Sequence, residues 1–369
     1  MRTCYVSPRL VSFSKVTLNE LADCMERLCV PGLSMAIVER DGNLHSYSIG
    51  VSDATRGDRV TERTLFQAAS VSKAVSSVGA LQLVEKGELE LDGEVNSRLI
   101  RWKIPANRFT RKRPVTLRHV LTHTAGFSVS GFRGYAKGEK VPGLLQILDG
   151  RPPANNEAIR VARVPGQTYR YSGGGFTVLQ ALMEDVTRKR FGPLMSHLVL
   201  HPAHMRSSRF EQPLGPRASR LAAVGHDALG KPIEGGWHTH PELAAAGLWT
   251  TAEDLARLGL EISREVEGRT DRLLSPRMAR RMVHRQKNGI GLGWGISHRG
   301  RYRTFEHDGW NVGYRSILCI GAGGPVVAVM TNSDRGNEAV SQVLDSVLGV
   351  SKSTKPRFRR AARSMTRPR

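Results

Sequence analysis

A serine and a lysine three residues apart can form a nucleophile with its own base, and residues 64–86, TLFQAASVSKAVSSVGALQLVEK, hold Ser70 and Lys73 at that spacing. Val75, Val78, Leu81 and Val84 recur every three residues, which predicts a helix with one buried face. Ser70 stands where that helix would be capped, and Gly87 where it would stop. The bland alternative is that Ser70 only caps a core helix. Lys73 argues against it. A capping box wants Glu or Gln three residues after the cap, and a cation in the first turn faces the positive end of the helix dipole. Positions i and i+3 share a helix face, so the Lys73 amine can reach the Ser70 hydroxyl. A buried amine near a helix start gives up its proton more readily than a free one. The pair then reads as a nucleophile beside its base.

The spacing alone specifies little, because Ser12 and Lys15 repeat it. There Thr17 and Glu20 form a better capping box just downstream, which places Lys15 before the helix and sets Ser12 aside. Other groups are needed. Tyr171 lies in TYRYSGGGFTVLQ, directly before a glycine run and a helix. It is either a tyrosine at a tight turn, with glycines supplying positive φ, or a phenol held near Lys73. His307-Asp308-Gly309-Trp310 is expected at a strand end. It is either a plain turn or a strand edge that offers the Trp310 backbone N–H to an oxyanion, with His307 as a polar donor.

The elements that would position these residues come from both ends of the chain. An amphipathic helix is expected over residues 18–29, and strands over 33–39 and 44–51 around the hairpin signal Arg40-Asp41-Gly42-Asn43. After the Ser70 helix the pattern changes to short helices (117–121, 144–148, 176–187, 193–200) between loops rich in Pro, Gly and Arg. Helices at 252–260 and 276–283 follow, then strands at 302–307, 313–320 and 326–331 and a closing helix at 337–348. The expected fold is α/β (α+β): one five-stranded antiparallel sheet flanked by helices, built from residues 1–88 and 237–350, beside a mostly helical domain of residues 89–236.

A chain of 369 residues with 40% hydrophobic and 24% charged residues can bury a large core. It contains no run of eighteen apolar residues, so no membrane span is expected. The N-terminus is basic but lacks a continuous apolar segment, and the four cysteines are too scattered for a disulfide framework, so an unprocessed, cytoplasmic protein is expected. The formal charge is +22. Eight of those positive charges sit in residues 351–369, read as a basic disordered tail, and the rest of the chain carries +14. A basic surface can attract polyanions. No helix–turn–helix, zinc-finger or RNA-binding signature accompanies it, so no specific nucleic-acid partner is expected.

Ser70-x-x-Lys73, Tyr171-Ser172-Gly173 and His307-x-Gly309 follow the order of the three motifs of class C β-lactamases and their esterase and D-peptidase relatives. Residues 116–126 (TLRHVLTHTAG), 245–251 (AAGLWTT) and 291–294 (GLGW) resemble the same serine-hydrolase superfamily, and the resemblance runs over about residues 18–348. It implies a β-lactamase/transpeptidase-like fold and a metal-free, cofactor-free hydrolase. Ser70 would be the nucleophile, Lys73 and Tyr171 would share the proton transfers, and the Ser70 and Trp310 N–H groups would form the oxyanion hole. His307, Gly309 and Gly173 would border the substrate. Two departures bear on the substrate. The family's second motif usually ends in Asn, where this chain has Gly173, and the third usually begins with Lys, where it has His307. Both fit an esterase acting on small esters better than a β-lactamase or a D-Ala-D-Ala carboxypeptidase, the alternative. A non-catalytic binding protein on the same fold is the third reading.

Competing signals are weaker. His119 and His123, four apart, could hold zinc on a helix face, but no carboxylate or third histidine follows at a useful spacing. His201/His204 and His238/His240 read as surface or loop residues. No Gly-x-Ser-x-Gly elbow is present, and the glycines of residues 289–295 lack a phosphate-loop lysine.

Overall fold

The computed structural model describes residues 15–286 and 289–350. The expected basic tail and the Ser12 position lie outside the described residues.

The opening helix α1 (Lys15–Arg27) leads into β1 (Gly32–Val38), β2 (Leu44–Asp53) and the two-residue β3 (Asp58–Arg59). Thr17 and Glu20 lie inside α1, so the helix does not begin at the expected capping box. A separate ribbon pairs β4 (Phe66–Gln67) with β5 (Trp249–Thr250), and between them in sequence run α2 (Val71–Glu85) and the helix-rich middle. That middle holds α3 (Val95–Arg98), α4 (Leu117–Leu121), α5 (Leu144–Asp149), α6 (Gly173–Thr187), α7 (Phe191–Met195) with a π-helical turn after it, α8 (Pro216–Ser219) and α9 (Leu243–Ala246). Then come α10 (Ala252–Glu267), α11 (Pro276–Met282), β6 (Gly295–Arg299), β7 (Tyr302–Asn311), β8 (Tyr314–Gly321), β9 (Val326–Thr331) and α12 (Asn337–Leu348).

The main sheet is antiparallel, in the order β3-β2-β1-β9-β8-β7-β6. Both chain ends build it, as expected, through the β1–β9 pair that sets Leu33 opposite Thr331. It has seven strands where five were expected. The two missed strands are the edges. β3 is two exposed residues, and β6 (GISHR) is short and only partly buried, so neither shows an alternating apolar pattern.

The inner strands are apolar on both faces because both are covered. Ala36, Val38, Leu318, Ile320, Ala328 and Met330 join α2 and α10 in one core. Their neighbours Leu33, Met35, Ile37, Ile317, Cys319, Val327 and Val329 join α1 and α12 in another. Period-two alternation therefore divides each strand between two cores.

α2 departs from the expected one-faced helix. Every residue from Val71 to Leu83 is buried. Two of its buried serines satisfy themselves locally, Ser76 Oγ donating to Ser72 O (2.7 Å) and Ser77 Oγ to Lys73 O (2.8 Å), and Gln82 Nε2 donates to Leu198 O (2.6 Å). A helix without a wet face contains one long polar side chain in its first turn, and that is Lys73.

Candidate active site

The turn into α2 is held from three sides. Ala68 N–H donates to Leu248 O (2.9 Å), Ser316 Oγ donates to Ala68 O (2.7 Å), and Leu248 N–H donates to Ser72 Oγ (3.1 Å). Ala69 sits at φ +48°, a left-handed conformation that costs an alanine about 1 kcal/mol or more. Strain at the residue before a candidate nucleophile persists only because the surroundings enforce it. Ser70 then enters the helix with φ −67° and ψ −12°, and its side chain makes no capping hydrogen bond. The bland alternative of a plain helix cap is therefore not what the hydroxyl does.

Lys73 uses that hydroxyl instead. Its Nζ lies 2.9 Å from Ser70 Oγ and donates to Ala245 O at 2.7 Å. The side chain is 2% exposed, and burial brings its pKa down to about 7, with the Asp308 charge pulling the other way. Near neutral pH a large fraction of Lys73 is thus an unprotonated amine beside a hydroxyl.

Tyr171 closes the site from the α6 side. Ser172 caps α6, accepting from Gly175 N–H (3.0 Å) and donating to Val129 O (2.7 Å). The three glycines that follow form the first helical turn, and none has a positive φ, which corrects the expectation of a glycine turn. They are glycines because the helix start lies close to its neighbours. A Cβ on Gly173 would come within 3.1 Å of both the Phe132 ring and Ser130 O. The Lys73 amine lies 5.1 Å from the centroid of the Tyr171 ring. Burial pushes the phenol pKa well up, opposed by its hydrogen bond with Ser70, so Tyr171 carries its proton at neutral pH.

β7 supplies the opposite wall. It was expected to end at His307, but pairing with β8 continues to Asn311↔Tyr314, where a two-residue turn ends the hairpin. β6 pairs with β7 only as far as Gly295↔Glu306, so beyond Glu306 β7 presents an open edge. His307 is buried there, with its ring centroid 6.4 Å from that of Tyr171 and Nδ1 2.7 Å from Asp308 O. Burial holds its pKa down to about 4, with Asp308 pulling it up and Lys73 adding to the depression. It is a neutral imidazole above pH 5.

Gly309 lets this strand approach the turn before Ser70. A Cβ there would lie 2.3 Å from Ala68 O and 2.3 Å from Ser316 Oγ, contacts that real Cβ atoms do not make. Gly309→Ala is therefore expected to push β7 away from the Ser70 turn. The rate of acyl transfer to Ser70 should fall by roughly 10²-fold, the scale of a small misplacement of reacting groups. Stability should fall by about 1–3 kcal/mol. Parallel kinetics and thermal unfolding check both effects. Trp310, next along, is 49% exposed, and the Arg315 guanidinium lies 4.7 Å above its ring.

Two residues near the site were not expected there. His123 was weighed as half of a zinc pair. Its ring instead packs 4.4 Å from that of Tyr171, and its Nδ1 accepts from Ser172 N–H at 3.2 Å. His119 turns elsewhere, its Nδ1 accepting from Thr116 N–H at the start of α4 (3.2 Å). The φ of +52° at His123 turns the chain so that the ring faces Tyr171, and nothing in a lone histidine announces that conformation. The second is Asp308, whose charge acts on Lys73, His307, Tyr169 and Tyr171. Its position inside the third motif could have drawn attention to it.

The structure thus brings Ser70, Lys73, Tyr171 and His307 together and sets Gly309 against the turn before Ser70, with Gly173 in the first turn of α6 and Trp310 next along the β7 edge. A hydroxyl beside a depressed-pKa amine, a protonated phenol and an open strand edge can together carry out acyl transfer.

A sequence model of the family described as Beta-lactamase matches residues 19–349, and the chain belongs to this family of serine hydrolases. It is 25% identical over 338 residues to penicillin-binding protein 4 of Amycolatopsis lactamdurans, a match covering 87% of this chain and 85% of that protein. It is 30% identical over 207 residues to esterase EstB of Burkholderia gladioli, which spans 54% of this chain and about half (52%) of the esterase. The octameric penicillin-binding protein homologue from Pyrococcus abyssi shares its fold, with a TM-score of 0.73 at 21% identity over 92% of this chain and 78% of that one.

Proposed function

We propose that the protein hydrolyses small carboxylic esters through an acyl-enzyme on Ser70. The observation that carries this reading is the 2.9 Å contact between Ser70 Oγ and a buried lysine whose pKa lies at about 7. Lys73, in its unprotonated form, takes the Ser70 proton as the hydroxyl attacks the carbonyl. Tyr171, a neutral phenol in contact with Ser70, delivers a proton to the leaving oxygen. The backbone N–H groups of Ser70 and Trp310 receive the oxyanion. Lys73 then passes that proton to the Tyr171 phenolate, which frees the amine to take a proton from the water that attacks the acyl-enzyme and to return it to Ser70 Oγ as the acid leaves. No metal or cofactor is needed for these steps.

Two features favour esters over β-lactams and D-amino-acid peptides. His307 is neutral at working pH and supplies no fixed positive charge for a carboxylate. Gly173 supplies no amide, and Phe132 lies against the place where a side chain there would begin. A simple ester requires neither contact. The likeness to penicillin-binding protein 4 keeps the peptidase reading as the alternative. The test is kcat/KM for p-nitrophenyl butyrate against nitrocefin on one preparation. The ester should exceed the cephalosporin by roughly 10²-fold or more, the scale of one lost charged contact. A preference for nitrocefin would replace the esterase reading with the β-lactamase one. A cytoplasmic location is proposed on the scattered cysteines alone. Among the described residues, no helix is long and apolar enough to cross a membrane.

A further inference from the structure

Gln67 and Asn311 are both buried, and Asn311 Nδ2 donates to Gln67 Oε1 at 2.6 Å although the two lie 244 residues apart. The same Nδ2 donates to Ala246 O at 3.3 Å, and Gln67 Nε2 donates to His238 O at 2.8 Å. The orientation of both amides follows from the carbonyls at either end. His238 O and Ala246 O can only accept, so each amide turns its NH2 toward one of them. Gln67 then faces Asn311 with its oxygen, and Asn311 meets it with the amide nitrogen. A flip of either amide would set like groups against each other.

These bonds join the three segments that carry the proposed chemistry. Gln67 stands three residues before Ser70 and pairs through its backbone with Trp249. Asn311 ends β7 directly after Trp310, the proposed second oxyanion donor. Ala246 directly follows Ala245, whose carbonyl accepts from Lys73 Nζ at 2.7 Å. Beyond Glu306, β7 pairs with β8 alone, so no sheet hydrogen bond sets its distance from the Ser70 turn. Side chains do that. Ser316 Oγ reaches Ala68 O (2.7 Å) past the bare Cα of Gly309, and Asn311 repeats the attachment two residues further on. Trp310 is thereby held between two anchor points. Apolar side chains could fill the same space, but two mutually oriented amides also fix distance and direction.

We propose that Gln67 and Asn311 are positioning residues that set the distance between the Ser70 turn and the Trp310 N–H, and with it the width of the oxyanion hole. This inference rests on the hydrolase reading of the same site and deepens it. Neither side chain takes part in a bond-making step. Their effect runs through the backbone they hold, and a donor misplaced by about 1 Å costs up to roughly 10²-fold in rate.

The test compares the full chain with Asn311→Leu, Gln67→Met and the double variant. Three quantities are read: kcat/KM for p-nitrophenyl butyrate per site titrated with a fluorophosphonate, the Ki of phenylboronic acid, and the acidic limb of the pH–rate profile. The boronate forms a tetrahedral adduct on a serine and so reports on the oxyanion hole. Asn311→Leu should lower kcat/KM by roughly 10–10²-fold and raise the boronate Ki by a similar factor, with the acidic limb unmoved. Gln67→Met should have a smaller effect in the same direction, because Asn311 keeps its bond to Ala246 O. The double variant should be no worse than Asn311→Leu, since both changes break one chain of bonds. Should Asn311→Leu fail to fold, Asn311→Ala takes the same three readings. Variants that lose thermal stability but keep kcat/KM per site and the boronate Ki would make the pair merely structural and overturn the inference. A shifted acidic limb with an unchanged boronate Ki would place the effect on Lys73 and also overturn it. In either case a labelled, active wild type leaves the hydrolase reading standing. If wild-type Ser70 stays unlabelled and the ester is not cleaved, the hydrolase reading fails and this inference falls with it.

Discussion

Ser70→Ala is expected to lower kcat/KM for p-nitrophenyl butyrate by roughly 10⁴-fold or more, the scale for removing a hydrolase nucleophile. The fold should hardly notice. A Ser→Ala change at a functioning helix cap costs about 1 kcal/mol, but the Ser70 side chain accepts no backbone N–H of α2, so the loss should be smaller than that. What the substitution removes is the Oγ that Lys73 and Tyr171 both address. Labelling by a fluorophosphonate should vanish with the activity. A variant that keeps near-wild-type turnover would show that another group attacks the carbonyl.

Lys73→Met should separate activity from stability in opposite directions. Turnover should fall by roughly 10²–10⁴-fold, the range for lost general-base help. Stability should rise, and the pH dependence gives the sign. The lysine pKa is near 10.5 when exposed and about 7 in the folded protein. Between those values the unfolded chain binds more protons than the folded one, so wild-type stability increases as pH rises through that window. At pH 7 and below the wild type carries the full penalty of burying this group. Methionine fills a similar volume without titrating, so the variant should gain about 1–3 kcal/mol at pH 7 once the lost contact with Ala245 O is deducted. The gain should shrink toward pH 10. The same pKa puts an acidic limb near pH 7 in the wild-type kcat/KM profile, because the proposed base must be unprotonated. Thermal unfolding at pH 6, 8 and 10 and a pH–rate series test both. A variant that loses stability at pH 7 would mean the lysine is held charged in the fold.

What could be read from the chain was whatever local patterning dictates. β9, α4 and α12 fall on their expected residues because their apolar spacing and flanking turns agree. Ser70, Lys73, Tyr171 and His307 could be named because their motifs stand in a familiar order. Tertiary pairing set the rest. β7 runs on to Asn311 because β8 continues to pair with it, which the Asp308-Gly309 break conceals. The glycines after Ser172 are explained by Phe132, Ile159 and Phe127, which lie far from them in sequence. His123 reaches Tyr171 only through a left-handed backbone angle, and a histidine in that conformation leaves no local trace.

The β1–β9 pair in the middle of the sheet has a bearing on how the protein is made. Leu33 waits for Thr331, nearly three hundred residues later. At about 5–20 residues per second, a ribosome would take on the order of 15–60 s to supply that partner. During that time β1 can pair only with β2, and its other side is a bare row of amides flanked by Leu33, Met35, Ile37 and Val38. Such an edge recruits other strands. The helical middle can condense earlier from local contacts, but Ser70 and the β7 edge face each other only after the last hairpin docks. The site is therefore completed late, and until β9 arrives the outer edge of β1 is open to other strands.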